Sequence, residues 1–551
     1  MKSFTKTTVL SILLGMPSLF ASSNLVDVKN RHLKNYASNI PSQCYTKTED
    51  ENKKIHNPCF ACHITSKEPN YFDDWDLQKA YAFPEDAFMN RWKNLFKDRT
   101  KEVNDISDDE ILAYIREDNY FEKDGALTLG KKLKNLSKEW DIDGDKKWDG
   151  YIPDCYYNFD EEGFDRDMRG GYSGWRAFGY YPFLGTFWPT NGSTDDVLIR
   201  LPMDFRKDEN GSFNIETYKV NLAIVEALIK QKSIKTDVID EKKYGVDLNK
   251  DGNLSKANQI TFDYEPLKGK HMSYVGLAKK KGHKIAAGLY PVGTDFLHSV
   301  RYIDIDEKSG IKMAARMKEL RYGKKVNWAT YTDHKSMVEE ELKEAHDFPD
   351  RLEVFIGDAE RGVSNKRGWR YQGFIEDEKG ELRPQSYEEN LFCIGCHASL
   401  GALADSTFVY QRKFEHGSFQ NGWSHWTQKG LKGIAQPKTP DGRDEYTLYL
   451  KENGAGDEFR ENDEVIKKFF DVNGTLNMSK VNKLNKDMTH LIFPSLSRAL
   501  KLNKAYKVIV DEQSFIYGRD ATLKPVKNVH EKVKDGQSTG VKNPVRYKYK
   551  Q

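Results

Sequence analysis

Two pentapeptides of one pattern carry the residues best suited to chemistry. They read Cys-Phe-Ala-Cys-His at Cys59–His63 and Cys-Ile-Gly-Cys-His at Cys393–His397. Two thiols three positions apart on a helical turn lie on one face, where they can add to the two vinyl groups of a flat porphyrin. The next residue, a histidine, can offer its imidazole to the iron. The pattern predicts two covalently attached haem groups.

Cys-x-x-Cys pairs also occur in redox sites and zinc sites, so both alternatives need weighing. A thioredoxin-like redox site does not require the following histidine and usually lies in a βαβ unit, which the sequence around these motifs does not suggest. A single zinc ion would need both pairs to combine in one tetrahedral site, and that arrangement leaves both histidines without a role. Haem attachment is therefore the favoured interpretation.

The first residues are typical of an export signal. Lys2 and Lys6 form a positive region, residues 9–20 are apolar but too few to span a bilayer, and small residues favour cleavage after Ser23. No cysteine lies near this position, so the sequence does not suggest a lipid anchor there. We expect an exported, periplasmic protein with no integral membrane segment after cleavage, and the outer surface is the alternative location.

Composition narrows the class of protein further. The chain has 551 residues, 86 basic and 84 acidic, for a formal net charge of +2, and it is 12% aromatic. The balanced charge argues against a global footprint for nucleic acid, and the aromatic content argues against wholesale disorder. We find no Ser-His-Asp set, phosphate-binding loop or His-Glu-x-x-His motif, so hydrolytic chemistry is not proposed.

With its export signal and two motifs, the sequence resembles the c-type cytochromes, in the broad sense of exported di-haem proteins. The resemblance implies thioether bonds at four cysteines and iron ligation by two proximal histidines, which are Cys59, Cys62, Cys393, Cys396, His63 and His397. The two motifs lie 334 positions apart, unlike the tandem motifs of small cytochromes. The intervening segment indicates a larger scaffold with a haem motif near each end.

Three functions remain open on this interpretation. The first is a periplasmic di-haem cytochrome that carries electrons between redox partner proteins. The second is a haem oxidoreductase, peroxidase-like or reducing a small molecule, in which one haem is catalytic and the other transfers electrons. The third makes the middle segment a binding module. The long middle segment favours more than a bare carrier, so the sequence does not decide whether the protein is an enzyme.

The ligands on the far side of each iron are harder to assign. His298 lies in an apolar, strand-like context and is our first expectation for a distal ligand. His56 lies close enough to the first motif to serve a neighbouring haem. Four residues compete as distal ligands of the second haem, and they are His416, His425, Met478 and Met488.

Cys44 and Cys155 lie outside the motifs, each shortly after an Ile-Pro step. Two leftover thiols in an oxidising compartment can pair, so we expect a disulfide between them. The alternatives are two buried free thiols, or a thiol that acts near the first haem.

Two acidic loops resemble calcium loops, with oxygen-bearing side chains at alternate positions. The candidate ligands of the two loops are Asp141, Asp143, Asp145 and Asp149, and Asp247, Asn249, Asp251, Asn253 and Ser255. In the first loop Asp154 could complete the coordination shell. In the second, Asn258 replaces the usual bidentate glutamate, which should weaken binding. Solvated acidic turns are the alternative.

Local patterns predict the elements that position the motifs. A capping box at Ser386 and Glu389 starts a helix that carries the second motif, and Asn57-Pro58 begins a helical turn at the first. Further helices are predicted at 107–117, 216–231, 309–320, 336–345 and 462–470, and strands at 351–357 and 368–376. Residues 174–204 are aromatic and rich in turns, which suits a β-rich or irregular core around a flat ring, and ordinary core packing is the alternative.

The predicted fold class is α+β, with helical cytochrome c-like segments at both ends and a larger β-containing middle. The predicted divisions are a signal peptide at 1–23, an N-terminal haem region at 24–135, a mixed middle at 136–380, a C-terminal haem region at 381–524 and a loosely ordered basic tail at 525–551.

Overall fold

A computed structural model describes residues 28–29, 33–186, 188–306, 310–454 and 460–549. The predicted signal peptide, residues 1–23, lies outside the described residues. The helices are α1 (Thr100–Asp105), α2 (Asp108–Arg116), α3 (Thr128–Lys134), α4 (Ile215–Lys230), α5 (Gly276–Lys280), α6 (Tyr331–Asp347), α7 (Tyr387–His397), α8 (Glu445–Glu452), α9 (Asp463–Phe469), α10 (Met478–Val481), α11 (Thr489–Ile492) and α12 (Leu496–Glu512).

The strands mix with these helices along the chain, so the predicted α+β class is confirmed. They are β1 (Ala80–Tyr81), β2 (Phe164–Arg166), β3 (Tyr172–Ala177), β4 (Thr194–Asp195), β5 (Leu198–Arg200), β6 (Ile234–Asp240), β7 (Lys256–Ile260), β8 (Asp295–Asp306), β9 (Gly310–Lys325), β10 (Gly357–Asp358), β11 (Gly362–Ser364), β12 (Trp369–Glu376), β13 (Leu382–Pro384) and β14 (Gln537–Ser538).

One antiparallel sheet organises the middle of the chain. Its strand order is β10-β11-β12-β9-β8-β5-β3-β2, with β13 beside β12 and β4 beside β8. Successive side chains of a strand point to opposite faces, so Leu297 of β8 and Leu320 of β9 pack into a buried cluster with Trp175 and Phe374. Residues at the alternate positions of β8, among them Phe296 and His298, line a cavity on the opposite face.

The predicted helix at 309–320 is wrong. Residues from Gly310 onward form the central strand β9, which pairs with β8 on one side and β12 on the other. The Ala, Met, Lys and Glu residues there favour a helix locally, but pairing on both edges of the strand outweighs that preference. The helices predicted at 107–117, 216–231, 336–345 and 462–470 are confirmed as α2, α4, α6 and α9.

Two further expectations need correction. Residues 351–356 form no strand, and Val354 and Ile356 are exposed. Helical cytochrome c-like segments are not seen at either end of the described chain, because the first motif lies in a single 3₁₀ turn, Pro58–Ala61, and the second in the last turns of α7. The predicted strand at 368–376 is confirmed as β12.

The basic tail is packed rather than loosely ordered. Its strand β14 pairs with β1 near the first motif. Val529 and Val533 join the buried cluster of Tyr45 and Trp92, and Val545 joins a second buried cluster. The prediction rested on the low content of large aliphatic residues, but a few valines at the right positions anchor the segment. The division of the chain into five parts stays a prediction.

Candidate functional site

A cavity of about 420 Å³ lies between the N-terminal segment, the sheet and α7. Its volume is in the range of sites that take a small molecule or cofactor. All four cysteines of the two motifs line it, together with His63 and His397. Its walls are rich in apolar side chains, including Phe183, Trp188 and Phe392. Residues far apart in sequence thus meet around one space.

The first motif is held by a short turn with strong anchors. Pro58 occupies the first position of the turn, where its missing N–H is not needed. The Asn57 amide nitrogen donates to the Gln78 side chain at 2.9 Å, and the His63 backbone N–H donates to the Cys59 carbonyl at 2.9 Å. Phe60, fully buried, points away from the cavity into the core. The turn therefore presents Cys59, Cys62 and His63 to the cavity.

His63 is oriented by a carboxylate. Its Nδ1 lies 2.8 Å from Asp74 Oδ2, and its carbonyl accepts a hydrogen bond from the Gln78 amide at 2.6 Å. Burial raises the pKa of Asp74, and its hydrogen bond to His63 opposes that rise. A histidine whose Nδ1–H donates to a carboxylate keeps the Nε2 lone pair for a metal.

The second motif ends a helix that is fixed at its start. Ser386 Oγ accepts from the Glu389 backbone N–H, and the Glu389 carboxylate accepts from the Ser386 N–H, which completes the predicted capping box. A buried ion pair between Arg383 and Glu389, 2.8 Å long, ties this start to β13. The helix brings Cys393, Cys396 and His397 to the cavity wall.

His397 is oriented by a backbone carbonyl in a strained turn. Its Nδ1 lies 3.0 Å from the Ser406 carbonyl oxygen. Burial lowers the pKa of His397 to about 4, so the ring is neutral. Asp405 and Ser406 have φ of 47° and 60°, a left-handed conformation that non-glycine residues adopt at a cost. A buried ion pair between Lys325 and Asp405, 2.6 Å long, holds the turn in place.

Residues in or just after the second motif pack against the backbone on either side of the first motif. A Cβ placed on Gly395 would lie 2.5 Å from the Asn39 carbonyl oxygen, and one on Gly401 would lie 2.2 Å from the Ile64 carbonyl oxygen. Burial raises the pKa of the Cys62 thiol, and the nearby Cys396 and Cys44 thiolates would raise it further. The segments that carry the two motifs are therefore in direct contact, which their spacing in sequence could not reveal.

His298 lies in the wall of the same cavity, on β8, opposite Arg321 of β9. Its Nδ1 lies 2.6 Å from the Asp196 carbonyl, and its Nε2 lies 3.7 Å from Asp195 Oδ2. Burial lowers the pKa of His298 to about 4, and the charge of Arg321 adds to this. The competing candidates do not line the cavity within the described part of the chain, and they are His56, His416, His425, Met478 and Met488.

Sequence reasoning missed a charged group at the cavity wall. Glu319 accepts from Arg321 at 2.9 Å and from Arg519 at 2.6 Å, and all three residues line the cavity. Burial alone would raise the pKa of Glu319, but the two guanidinium charges lower it to about 2. Arg460 also reaches the wall. No local sequence motif predicts this cluster, because its residues come from strand β9 and from segments that are distant in sequence.

The predicted disulfide between Cys44 and Cys155 is wrong. All six cysteines are free thiols in this structure. Cys44 lines the cavity, where the Cys59 and Cys396 thiols are its neighbours. Cys155 is fully buried in another cluster, where its carbonyl accepts from the Tyr120 hydroxyl. The shared Ile-Pro step was a coincidence of local sequence and did not indicate proximity.

The first acidic loop brings three predicted ligands together. Carboxylate oxygens of Asp141, Asp143 and Asp145 all lie within 4.8 Å of one another. Asp149 lies 3.1 Å from the Arg361 guanidinium, which also contacts Asp143. Asp154 does not complete the shell, because Arg200 and Trp175 bind its carboxylate.

In the second acidic loop, the carboxylates accept hydrogen bonds from donors of the loop itself. Asp247 accepts from the backbone N–H groups of Asp251 and Gly252, and the Asn249 amide nitrogen donates to Asp251 at 3.1 Å. The Asn249 Oδ1, which is the atom that would bind calcium, accepts from the Asp251 backbone N–H at 3.0 Å. The backbone N–H of Asn253 donates to the Asp251 carboxylate, and that of Ser255 donates to the Glu241 carboxylate.

Comparison with known proteins defines the class. A family model described as a "-like lipoprotein" matches residues 27–491, most of the chain. The chain belongs to this lipoprotein family. An "Uncharacterized lipoprotein" of Aquifex aeolicus (strain VF5) is 32% identical over 581 aligned positions, which cover 95% of this chain and 93% of the relative. No solved structure matches the chain with significance.

These findings overturn the predicted family and the function drawn from it. The chain belongs to a lipoprotein family and not to the c-type cytochromes. The electron carrier and the haem oxidoreductase were both inferred from that resemblance, so both predictions are wrong. The prediction of redox partner proteins depended on those two functions and is no longer supported. Family membership does make the chain an exported protein. Within the described residues, every helix is too short or too polar to cross a bilayer.

Proposed function

We propose that this exported protein is a haem-binding member of its family, and that the central cavity is where the haem groups are held. The observation that carries the proposal is that two Cys-x-x-Cys-His motifs, 334 positions apart, line one cavity. The location we propose is the periplasm, which is compatible with export.

The donor set fits two haem groups. Two pairs of thiols are available for thioether bonds at Cys59 and Cys62 and at Cys393 and Cys396. Each following histidine has its Nδ1 next to an oxygen acceptor, so its Nε2 remains available for iron. When bound, haem supplies an iron whose two axial positions take protein or small-molecule ligands. His63 and His397 would take the proximal positions, and His298 remains our proposal for a distal one.

The cavity wall also suits the rest of a haem. Apolar and aromatic side chains such as Trp188 and Phe392 can cover a flat ring. Arg460 and Arg519 reach the wall, where they pair with Asp520 and Glu319. A guanidinium has five N–H donors and can bind more than one carboxylate, such as the propionates of haem. A mostly apolar wall with a few charged side chains is typical of cofactor sites.

Haem content tests the proposal directly. Protein matured in a host with the c-type haem ligation machinery should carry two haem groups per chain by intact mass and by haemochrome absorbance. Cys59→Ala/Cys62→Ala and Cys393→Ala/Cys396→Ala should each lose covalent attachment at one motif, since both thioether partners are removed. Cys44→Ala is the matched control, because Cys44 lines the same cavity outside both motifs, and it should keep two haem groups.

Bare apoprotein mass without a Soret band in the wild-type protein would contradict the proposal. Equal haem content in the wild type and in both motif variants would contradict the assignment of the thiols.

Calcium at the Asp141 loop is a separate proposal. The three grouped carboxylates support it, and Arg361 on Asp143 and Asp149 weakens it, because a cation already neutralises part of the charge. A ligand at 100 times its Kd stabilises a protein by about 2.7 kcal/mol. We therefore expect saturating Ca²⁺ to raise the Tm of the wild type.

Asp145→Asn should remove the calcium effect on Tm, because it takes away one of the three grouped carboxylates. Asp251→Asn in the second loop is the control and should respond to Ca²⁺ as the wild type does. A Tm that EDTA and Ca²⁺ leave unchanged in the wild type would rule the site out.

A further inference from the structure

We propose that the two haem sites are electronically unlike, because Asp74 makes His63 a stronger donor to iron than His397. This proposal rests on the proposed haem attachment. His63 Nδ1 is 2.8 Å from a carboxylate oxygen, whereas His397 Nδ1 is 3.0 Å from a neutral backbone carbonyl. The acceptor opposite Nδ1 sets the basicity of a ligating imidazole.

The surroundings of Asp74 concentrate its charge on His63. Its side chain is 4% exposed, and its Oδ1 makes no hydrogen bond within the described part of the chain. No lysine or arginine forms an ion pair with Asp74 among the described residues. The Asp74 side chain therefore interacts mainly with His63, through the hydrogen bond to Oδ2.

The surroundings of His397 have the opposite effect. The Ser406 carbonyl that faces Nδ1 also accepts a hydrogen bond from the Tyr371 hydroxyl at 3.0 Å. A carbonyl that already accepts one hydrogen bond is a weaker partner for a second donor. The Asp405 carboxylate beside it is neutralised by Lys325 at 2.6 Å, so it adds little charge to the imidazole.

The two imidazoles should therefore differ in their effect on iron. A ring that donates to a carboxylate carries more negative charge and stabilises the ferric state, which makes the reduction potential more negative. We infer that the haem of the first motif has the lower potential. Sequence comparison of the two motifs gives no hint of this, because both read Cys-x-x-Cys-His.

Spectropotentiometric titration of the matured protein tests the inference. Haem content is measured first, since absence of haem would reject the proposed function and not this inference. Variants with one intact motif, Cys393→Ala/Cys396→Ala and Cys59→Ala/Cys62→Ala, report each site separately. The chain that keeps the first motif should titrate at the more negative potential, and this comparison needs no change at Asp74.

Asp74→Asn in the chain that keeps the first motif should shift its potential upward, because the amide removes the charge while it preserves the shape. Asp76→Asn is the matched control, since Asp76 is an exposed carboxylate two residues away, and it should leave the potential unchanged. Equal potentials of the two single-site chains, or an Asp74→Asn chain that keeps its haem and its potential, would overturn the inference.

Discussion

Replacing Lys325 with methionine is expected to destabilise the folded chain by about 3–5 kcal/mol, because it leaves a buried charge without its partner. Lys325 and Asp405 side chains are 1% and 0% exposed, and their ion pair is 2.6 Å long. Without it, Asp405 keeps a hydrogen bond from the Tyr290 backbone N–H at 2.9 Å. Urea denaturation of wild type and variant measures the difference.

The control is Lys53→Met, which removes a 2.8 Å ion pair with Glu49 from the surface. Solvent screens such pairs, so we expect unchanged stability. A loss of less than about 1 kcal/mol for Lys325→Met would contradict the role of the buried pair. The same variant should also disturb covalent haem at the second motif, because the Asp405–Ser406 turn orients His397.

The substitution Gly401→Ala, which adds one methyl group, is also expected to destabilise the folded chain strongly. The new Cβ would lie 2.2 Å from the Ile64 carbonyl oxygen, so backbone must move. Overpacking of this kind costs about 1–3 kcal/mol, and occasionally more. Because Gly401 and Ile64 follow the two motifs closely, Gly401→Ala should reduce both stability and haem loading. Thermal denaturation and haem content are the measurements.

Gly130→Ala is the control for Gly401→Ala. Gly130 lies in α3, and a Cβ there would meet its nearest neighbour at an ordinary 3.5 Å. Alanine favours a helix over glycine by about 1 kcal/mol, so this variant should be as stable as the wild type or more stable. Full stability and two haem groups in Gly401→Ala would show that the contact between the motifs can relax.

Local signals in the sequence were enough to predict several elements. The capping box of Ser386 and Glu389 places the start of α7 correctly, and Ser107 caps α2 through the Glu110 N–H. The strand at 368–376 also follows from its aromatic and β-branched residues. In each case a few neighbouring residues decide the structure.

The failures involve contacts between distant residues. β9 contains helix-forming residues but is the central strand of the sheet, because β8 and β12 pair with both its edges. Glu319 and Arg519 meet at the cavity wall although 200 residues separate them. Cys44 and Cys155 share a local pattern but lie in separate clusters. No local pattern encodes such pairings, so neither the sheet order nor the shared cavity could be predicted.

The Gln78 side chain links the two extremes of the described chain, with a consequence for biosynthesis. Its amide nitrogen donates to the carbonyls of His63 and Val545, and its oxygen accepts from the Val545 N–H. Translation and export deliver the first motif long before residue 545 emerges. The hydrogen bonds between Gln78 and Val545 can form only after that late partner has emerged, and we expect this motif to be accessible to modifying enzymes until then.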